Sequence, residues 1–392
     1  MPRCPNCQKE NPVGIVKCDC GYDYFTGEIV SGAAPAAATE GPTETAEGPA
    51  ATTDYRLSFR GTAREYFGIW IVNMLLKIVT VGFYTAWAKV RQRRYFAGAT
   101  LLNGEPFEYL AEPKALFRGW LIAVAAVVIY TVAARISPTL GVVVGVAIFC
   151  AVPWVIVRSR VFNCRNLAHR NIRFVFRPDY AESYRVYLGY ALLIPLTLGI
   201  LYPYVIYRQK RFLVENSSYG STPFRFTARP GDFYVLFLLA FLSFLGLLVM
   251  GGLFAAIIGK GLAPALKDAR SLAAIVPFGF IALYLAFAIG VMTALNNLVW
   301  NKTELADIRF ASDMSPMTVI WLYFSGFVAI ACSLGLLFPW AAVRLRRYRY
   351  DHFTLRTAAG IEGFVVGAQA AAVGAAGEEI GDVFGLDVDI AL

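Results

Sequence analysis

One stretch occurs three times in this chain: TVGFYTAWAKVRQRRYF at 80–96, TLGILYPYVIYRQKRFL at 197–213 and SLGLLFPWAAVRLRRYR at 333–349. The copies align without a gap. A hydroxyl residue (Thr80, Thr197, Ser333) stands two before a glycine (Gly82, Gly199, Gly335), and an aromatic (Trp87, Tyr204, Trp340) follows five after it. A basic cluster comes next, closed by Tyr95, Phe212 or Tyr348. The hydroxyl positions lie 117 and then 136 residues apart. Periods that long point to duplication of a membrane unit rather than to a soluble solenoid.

Composition agrees. Hydrophobic residues are 57% of the 392 and charged residues only 16%, whereas soluble domains run near 25% charged. Aromatic residues, at 15%, suit interfacial Trp and Tyr belts. The net charge of +9 sits in clusters beside apolar segments. That pattern fits positive-inside anchoring and anionic lipid, and no nucleic-acid partner is expected. The polar, cysteine-rich N-terminus has no signal-peptide h-region, which places it and its thiols in a reducing cytoplasm.

The first 26 residues hold CPNC and CDCG. Cys4, Cys7, Cys18 and Cys20 have the spacing of a four-thiolate zinc ribbon, a closed structural Zn2+ site. A pair of disulfides is the other reading, with nothing favouring an oxidising compartment. Residues 27–54 read as a disordered Ala/Pro/Gly/Thr/Glu linker. A repeat-containing transmembrane domain follows over 55–357. Residues 358–392 form an Ala/Gly-rich acidic tail, read as disordered or as a segment docking on the arginines. Cys150, Cys164 and Cys332 are read as packing residues.

Alternating stretches YRLSF at 55–59, IRFVF at 172–176 and DIRFA at 307–311 predict strands, one before each repeat. Hairpins are predicted after the repeats at 98–110, 217–226 and, more weakly, 352–364, the first on the Asn103-Gly104 turn. Four apolar segments, 116–134, 140–157, 233–258 and 272–295, are about as long as a bilayer span.

The repeat segments themselves admit two readings. As ordinary spans they give seven transmembrane helices. Yet arginines flank the first segment on both sides (Arg56, Arg60 and Arg64; Arg91, Arg93 and Arg94), and similarly the second. A spanning helix should be basic on one flank only. The charges therefore favour a re-entrant hairpin, bent at the glycine and capped by the hydroxyl, with both flanks cytoplasmic.

No phosphate loop, GxSxG or HExxH is present. His169 and His352 are expected at the surface, and no enzymatic activity is expected. Lys77, inside the first repeat segment, either snorkels to the interface or lines a polar path. The strongest functional candidate is the triplicated cluster Arg91, Arg93, Arg94, Arg208, Lys210, Arg211, Arg344, Arg346 and Arg347, suited to lipid phosphates or to one shared anionic pocket. Orientation signalling alone is the alternative.

The TLGxxxPW–basic–Tyr pattern, the NGxxFxY hairpin after it and the triplication resemble the YjgN-like family of bacterial inner-membrane proteins over about 55–392. The first copy departs from the pattern, with Thr85-Ala86 where the others have Tyr202-Pro203 and Phe338-Pro339. The resemblance implies a multi-pass inner-membrane location without a defined activity. The expected fold is an all-α polytopic membrane protein with internal pseudo-repeats, small cytosolic β-hairpins and an N-terminal zinc ribbon. Its expected role is a scaffold that engages anionic lipid and recruits a protein partner through the ribbon. The alternative is a transporter or channel for a small anionic or amphipathic solute.

Overall fold

The structure is a computed structural model and describes residues 53–262, 269–357 and 360. The cysteines assigned to zinc, the linker up to residue 52 and the acidic tail apart from Gly360 lie outside the described residues, while Thr53 and Asp54, expected in the linker, belong to the first strand.

Among the described residues five units follow one another, each a strand, a helical hairpin and a second strand. The first is β1 (Thr53–Phe59), α1 (Ala63–Val79), α2 (Thr85–Ala99) and β2 (Thr100–Leu102). The second is β3 (Glu105–Tyr109), α3 (Pro113–Ile136), α4 (Pro138–Arg165) and β4 (Leu167–His169). In the third, β5 (Ile172–Phe176) leads into α5 (Tyr180–Tyr184), a π-helical turn (Arg185–Gly189) and α6 (Tyr190–Leu196). It returns through α7 (Tyr202–Glu215) to β6 (Ser217–Tyr219). The fourth holds β7 (Thr222–Phe226), α8 (Pro230–Leu262), α9 (Ala269–Asn301) and β8 (Thr303–Leu305). The fifth holds β9 (Ile308–Ser312), α10 (Pro316–Cys332), α11 (Phe338–Asp351) and β10 (Phe353–Thr357).

The ten strands close an antiparallel barrel in sequence order, β10 returning to β1 with Thr53 opposite Thr357. This overturns the all-α expectation and the picture of isolated hairpins. The expected strands do form, as do the hairpins at 98–110 and 217–226, but they are parts of one closed sheet. Two turns were not foreseen, Arg170-Asn171 and Ala306-Asp307, because neither contains glycine. Their backbone is nonetheless left-handed at Arg170, Asn171 and Ala306, as at Asn103 and Gly220 in the other two turns. The expected hairpin at 352–364 contributes the single strand β10.

Alternation along the strands divides inside from outside. Leu57, Phe107, Phe174, Phe224 and Phe310 line the interior. Their neighbours Arg56, Glu108, Arg173, Arg225 and Arg309 are exposed. In-register pairs Arg309–Glu304 and Arg356–Asp54, each at 3.4 Å, decorate the outer wall. Strands of three to seven residues fall short of the 9–11 or so that a membrane barrel requires. With a charged exterior as well, this barrel stands in water.

Topology then dictates where the helices go. Within each unit the two strands pair beside each other, and successive units are joined by two-residue turns at the opposite end. All five helical hairpins therefore leave from one end of the barrel. The second and fourth contain the helices long and apolar enough to cross a membrane: Pro113–Ile136, Pro138–Arg165, Pro230–Leu253 and Gly279–Asn301. The other three hairpins are the repeats. Their first arms span 17 residues in α1 and α10, or roughly 25 Å of helix, short of a hydrocarbon core of about 30 Å.

The bend is the same in all three. Gly82 N–H donates to the Lys77 carbonyl at 2.8 Å, Gly199 to Ile194 at 2.9 Å and Gly335 to Ile330 at 2.8 Å. These are the six-to-one bonds of a Schellman helix end. The residue before each glycine is also left-handed, with φ of 49° at Val81, 50° at Leu198 and 52° at Leu334. The hydroxyl then starts the returning helix, accepting from Tyr84 N–H at 3.0 Å, Leu201 at 3.3 Å and Leu337 at 3.0 Å. Tyrosines at the end of the basic cluster tie the hairpin's two ends together. The Tyr95 hydroxyl accepts from Thr62 N–H and the Tyr348 hydroxyl from Ser315 N–H, both at 2.9 Å. In the middle copy Phe212 has no hydroxyl, and Asp179 caps that helix instead, accepting from Glu182 N–H at 2.9 Å.

Candidate functional site

The barrel encloses a cavity of about 740 Å3. Its wall is built from one cross-strand pair per unit: Leu57 opposite Leu102, Phe107 opposite His169, Phe174 opposite Tyr219, Phe224 opposite Leu305 and Phe310 opposite Leu355. The sequence produces this because each longer strand carries an apolar residue at its inward position. Trp300 from α9 packs edge-on against Phe353 with centroids 4.9 Å apart and closes part of the wall.

The helix side of the cavity is cationic. Lys89, Gln92 and Arg93 come from α2, Asn163 from α4, Asn296 from α9, and Arg346 and Arg349 from α11. Among the described residues no aspartate or glutamate lines the cavity. Arg93 is set in place by hydrogen bonds to Asn163 Oδ1 at 2.7 Å and to the Tyr109 hydroxyl at 2.9 Å. Arg346 stands over the Phe96 ring. Four cations gathered beside an apolar chamber create a field that attracts negative charge.

The structure sorts the nine basic residues of the repeated cluster. Arg93 and Arg346 reach the cavity. Arg94 donates to the backbone carbonyls of Tyr109 and Ala111, and Arg347 to that of Gly61. Arg208 pairs with Glu182, and Arg211 with Glu215 at 2.9 Å. Arg344 donates to Ser325 Oγ at 2.8 Å and covers Trp340. Burial, with Arg160 nearby, holds the Lys210 ammonium below the usual lysine range. Arg91 is exposed. Arg94 and Arg347 thus tie helices to backbone beside the barrel strands, Arg208, Arg211 and Arg344 brace their own hairpins, and Lys89 and Arg349 join Arg93 and Arg346 at the cavity. The repeat residues Thr80, Gly82, Thr197, Gly199, Ser333 and Gly335 sit at the far bends. Trp87 packs on Phe117, Tyr204 on Tyr190, and Trp340 under Arg344. Lys77 is exposed in the last turn of α1.

His169 is not at the surface: only 3% of it is exposed. Its Nδ1 lies 3.3 Å from the Pro106 carbonyl, and its Nε2 is buried without a partner. Burial, reinforced by Arg170, lowers its pKa despite the Pro106 carbonyl. The Tyr219 hydroxyl donates to the His169 carbonyl at 3.0 Å, and burial pushes the phenol up to about 12. Alternation could have placed both residues inward, since they end the three-residue strands LAH and SSY at the positions occupied by leucine elsewhere. Among the described residues no group of His, Cys, Asp and Glu is arranged to hold a metal.

The family described as "Bacterial protein of unknown function (DUF898)" matches residues 54–383, and the chain belongs to it. Among curated proteins it is similar to the inner membrane protein YjgN of Salmonella typhimurium, at 23% identity over 359 residues, covering 74% of this chain and 86% of the relative. The protein of that name from Escherichia coli O157:H7 is 26% identical over 162 residues, 41% of this chain and 39% of the relative. No solved structure matches. The four long apolar helices and these relatives support a bacterial inner-membrane location.

Proposed function

We propose that this member of the DUF898 family is a non-enzymatic, membrane-anchored binding protein for an anionic amphiphile. The barrel lumen takes the apolar chain, and Lys89, Arg93, Arg346 and Arg349 take the phosphate or carboxylate head. The observation that carries the reading is the pairing, in one cavity of about 740 Å3, of an aromatic and aliphatic lumen with a side lined by Lys89, Arg93, Arg346 and Arg349. Clefts lined by one sign of charge with low-dielectric walls raise the local concentration of opposite charge, and guanidinium groups suit phosphate and carboxylate geometry.

The setting fits. The cationic side is the one from which the helices leave, so it stands where the spanning helices enter the headgroup layer. A lipid head at that level needs little vertical movement to meet these cations. The three short hairpins carry apolar bends, with Val81 84%, Leu198 91% and Leu334 95% exposed, suited to dipping into the acyl layer of the same leaflet. By the positive-inside rule the barrel faces the cytoplasm.

The test uses the full chain in nanodiscs of zwitterionic phospholipid, titrated with dodecyl phosphate while tryptophan emission is followed. Trp300 is the reporter in the wall, and Trp300→Phe is the control for the other tryptophans. A saturable change is expected, with dodecylphosphocholine weaker and the Arg93→Gln/Arg346→Gln double variant weaker by at least about tenfold, since hydrogen bonds to charged groups contribute roughly 1.5–3 kcal/mol each. No saturable response to dodecyl phosphate would overturn the reading. A second role, transport across the bilayer, is not favoured by any lining residue in the four spans beyond Asn163, Asn296 and Trp300 at their barrel ends.

A further inference from the structure

We infer that the amphiphile held in the lumen carries a hydrogen-bond donor, a hydroxyl or an amide N–H, within its apolar part, and that His169 Nε2 receives it. The inference rests on the amphiphile-binding reading and narrows the class of ligand.

The five lumen pairs occupy equivalent places in the barrel. The partner opposite the central residue is Leu102, Leu305 or Leu355 in three units and Tyr219 in a fourth. In the remaining unit it is His169, opposite Phe107. Leucine satisfies this position three times over, so packing alone does not call for an imidazole. The ring is held firmly. It lies tilted against Phe107 with centroids 4.5 Å apart, and Nδ1 is 3.3 Å from the Pro106 carbonyl. A carbonyl oxygen only accepts, so Nδ1 carries the proton and donates to it, which leaves Nε2 with an open lone pair. That atom is buried and has no partner, in a residue that lines the cavity. Buried acceptors left unmade are costly, and a native structure keeps few of them. The neighbouring hydroxyl does not serve it: Tyr219 donates to the His169 carbonyl instead.

Position fixes where on the ligand the donor belongs. His169 ends β4 next to the Arg170-Asn171 turn, at the end of the barrel away from the helices. The cations lie at the helix end. A ligand with its acidic head at Arg93 and Arg346 therefore presents its far part to Nε2. The structure points to a molecule polar at both ends, such as a long-chain hydroxy acid or a phosphorylated alcohol bearing a distal hydroxyl. A plain acyl chain leaves Nε2 unmet.

Full-length protein in nanodiscs is titrated with the unsubstituted carboxylates of eight, ten and twelve carbons and with their terminally hydroxylated counterparts, read by Trp300 emission. The expected result is a preference of about tenfold or more for the hydroxylated member at one chain length. That ratio should fall to about one in His169→Leu, which places at this position the residue found in three other units. It should recover in part in His169→Gln, which keeps an acceptor. Equal binding of both members to the wild type, or an undiminished preference in His169→Leu, overturns the inference and leaves the amphiphile site standing. Failure of every probe to bind overturns both. Mass spectrometry of lipid retained through purification, beside uptake of the added acid, separates a bilayer source from a dissolved one.

Discussion

The guanidinium carbon of Arg346 stands 3.3 Å from the centroid of the Phe96 ring. One residue belongs to the last described helix and the other to the first described helical hairpin, so this stack joins the two ends of the barrel's helical crown. It does so beside the cavity that both residues line. Phe96 is 6% exposed, and Phe96→Ala should cost about 3–5 kcal/mol of unfolding free energy. Arg346→Gln should cost about 0.5–2 kcal/mol. Denaturant unfolding of both single variants and the double one should show coupling between them, and strictly additive losses would exclude a direct clamp.

Left-handed backbone at Val81, Leu198 and Leu334 is paired with bends exposed to their surroundings. An L-residue there costs about 1–2 kcal/mol, so Leu334→Gly should raise the unfolding midpoint of the detergent-solubilised protein. Gly335→Ala, at φ 93°, should lower it by a comparable amount. If both substitutions shift the midpoint the same way, the bend is not the strained turn described.

The cap hydroxyls have the same test in each copy. Thr80→Val removes the acceptor for Tyr84 N–H while keeping the side-chain volume, and should destabilise by about 0.5–2 kcal/mol. Tyr95→Phe and Tyr348→Phe each leave a backbone N–H at the hairpin entrance without its acceptor and should cost about 1 kcal/mol each. Thermal unfolding reads all three.

His169 gives stability a pH dependence with a definite sign. Its pKa in the folded protein is below the ordinary value of 6.5, so the unfolded chain takes up the proton first as pH falls. The unfolded state then binds more protons, and stability drops with falling pH. The stabilisation is complete above about pH 6.5 and is lost progressively below it, down to the folded-state pKa. Unfolding midpoints measured from pH 7.5 to 5 should fall more steeply in the wild type than in His169→Leu. Parallel curves would mean that the imidazole is free to protonate in the fold.

Barrel topology demands a single sidedness. Arg56, Arg173 and Arg309 lie on the outer wall of strands in three different units. Single cysteines replacing them should all react with a membrane-impermeant maleimide from the same face of the membrane, above the level of the parent chain. Labelling of any two from opposite faces would be incompatible with helices leaving one end of the barrel.

Much of this architecture is legible in the sequence. The broken hairpins were visible in Thr80-Val81-Gly82 and its two copies, because a hydroxyl before a glycine is a local capping signal. Arginine on both flanks, at Arg60 and at Arg91 to Arg94, already said that the two ends of the segment share a side. Lumen positions were half visible: Phe174 and Phe310 stand in alternating strands. The strands LAH at 167–169 and TEL at 303–305 were not, because three residues carry too little pattern to register. His169 reads as a surface residue in the sequence because its neighbours Arg170 and Asn171 are polar, but those two form the turn, while His169 is the last residue of β4 and lines the cavity.

By itself, then, the sequence determined the local elements: four apolar helices of membrane length, three capped hairpins and the inward Phe of the longer strands. Each follows from interactions within about one turn or one pleat of chain. Only the tertiary structure decided that the strands form one barrel, that Arg93 and Arg346 share a cavity, and that His169 faces it. Those facts depend on hydrogen bonding between segments such as Phe59 and Thr100, or Thr53 and Thr357, which have whole helical hairpins or nearly the whole domain between them. Closure, which leaves no strand edge unpaired, selects among such pairings, and nothing local in either partner announces it.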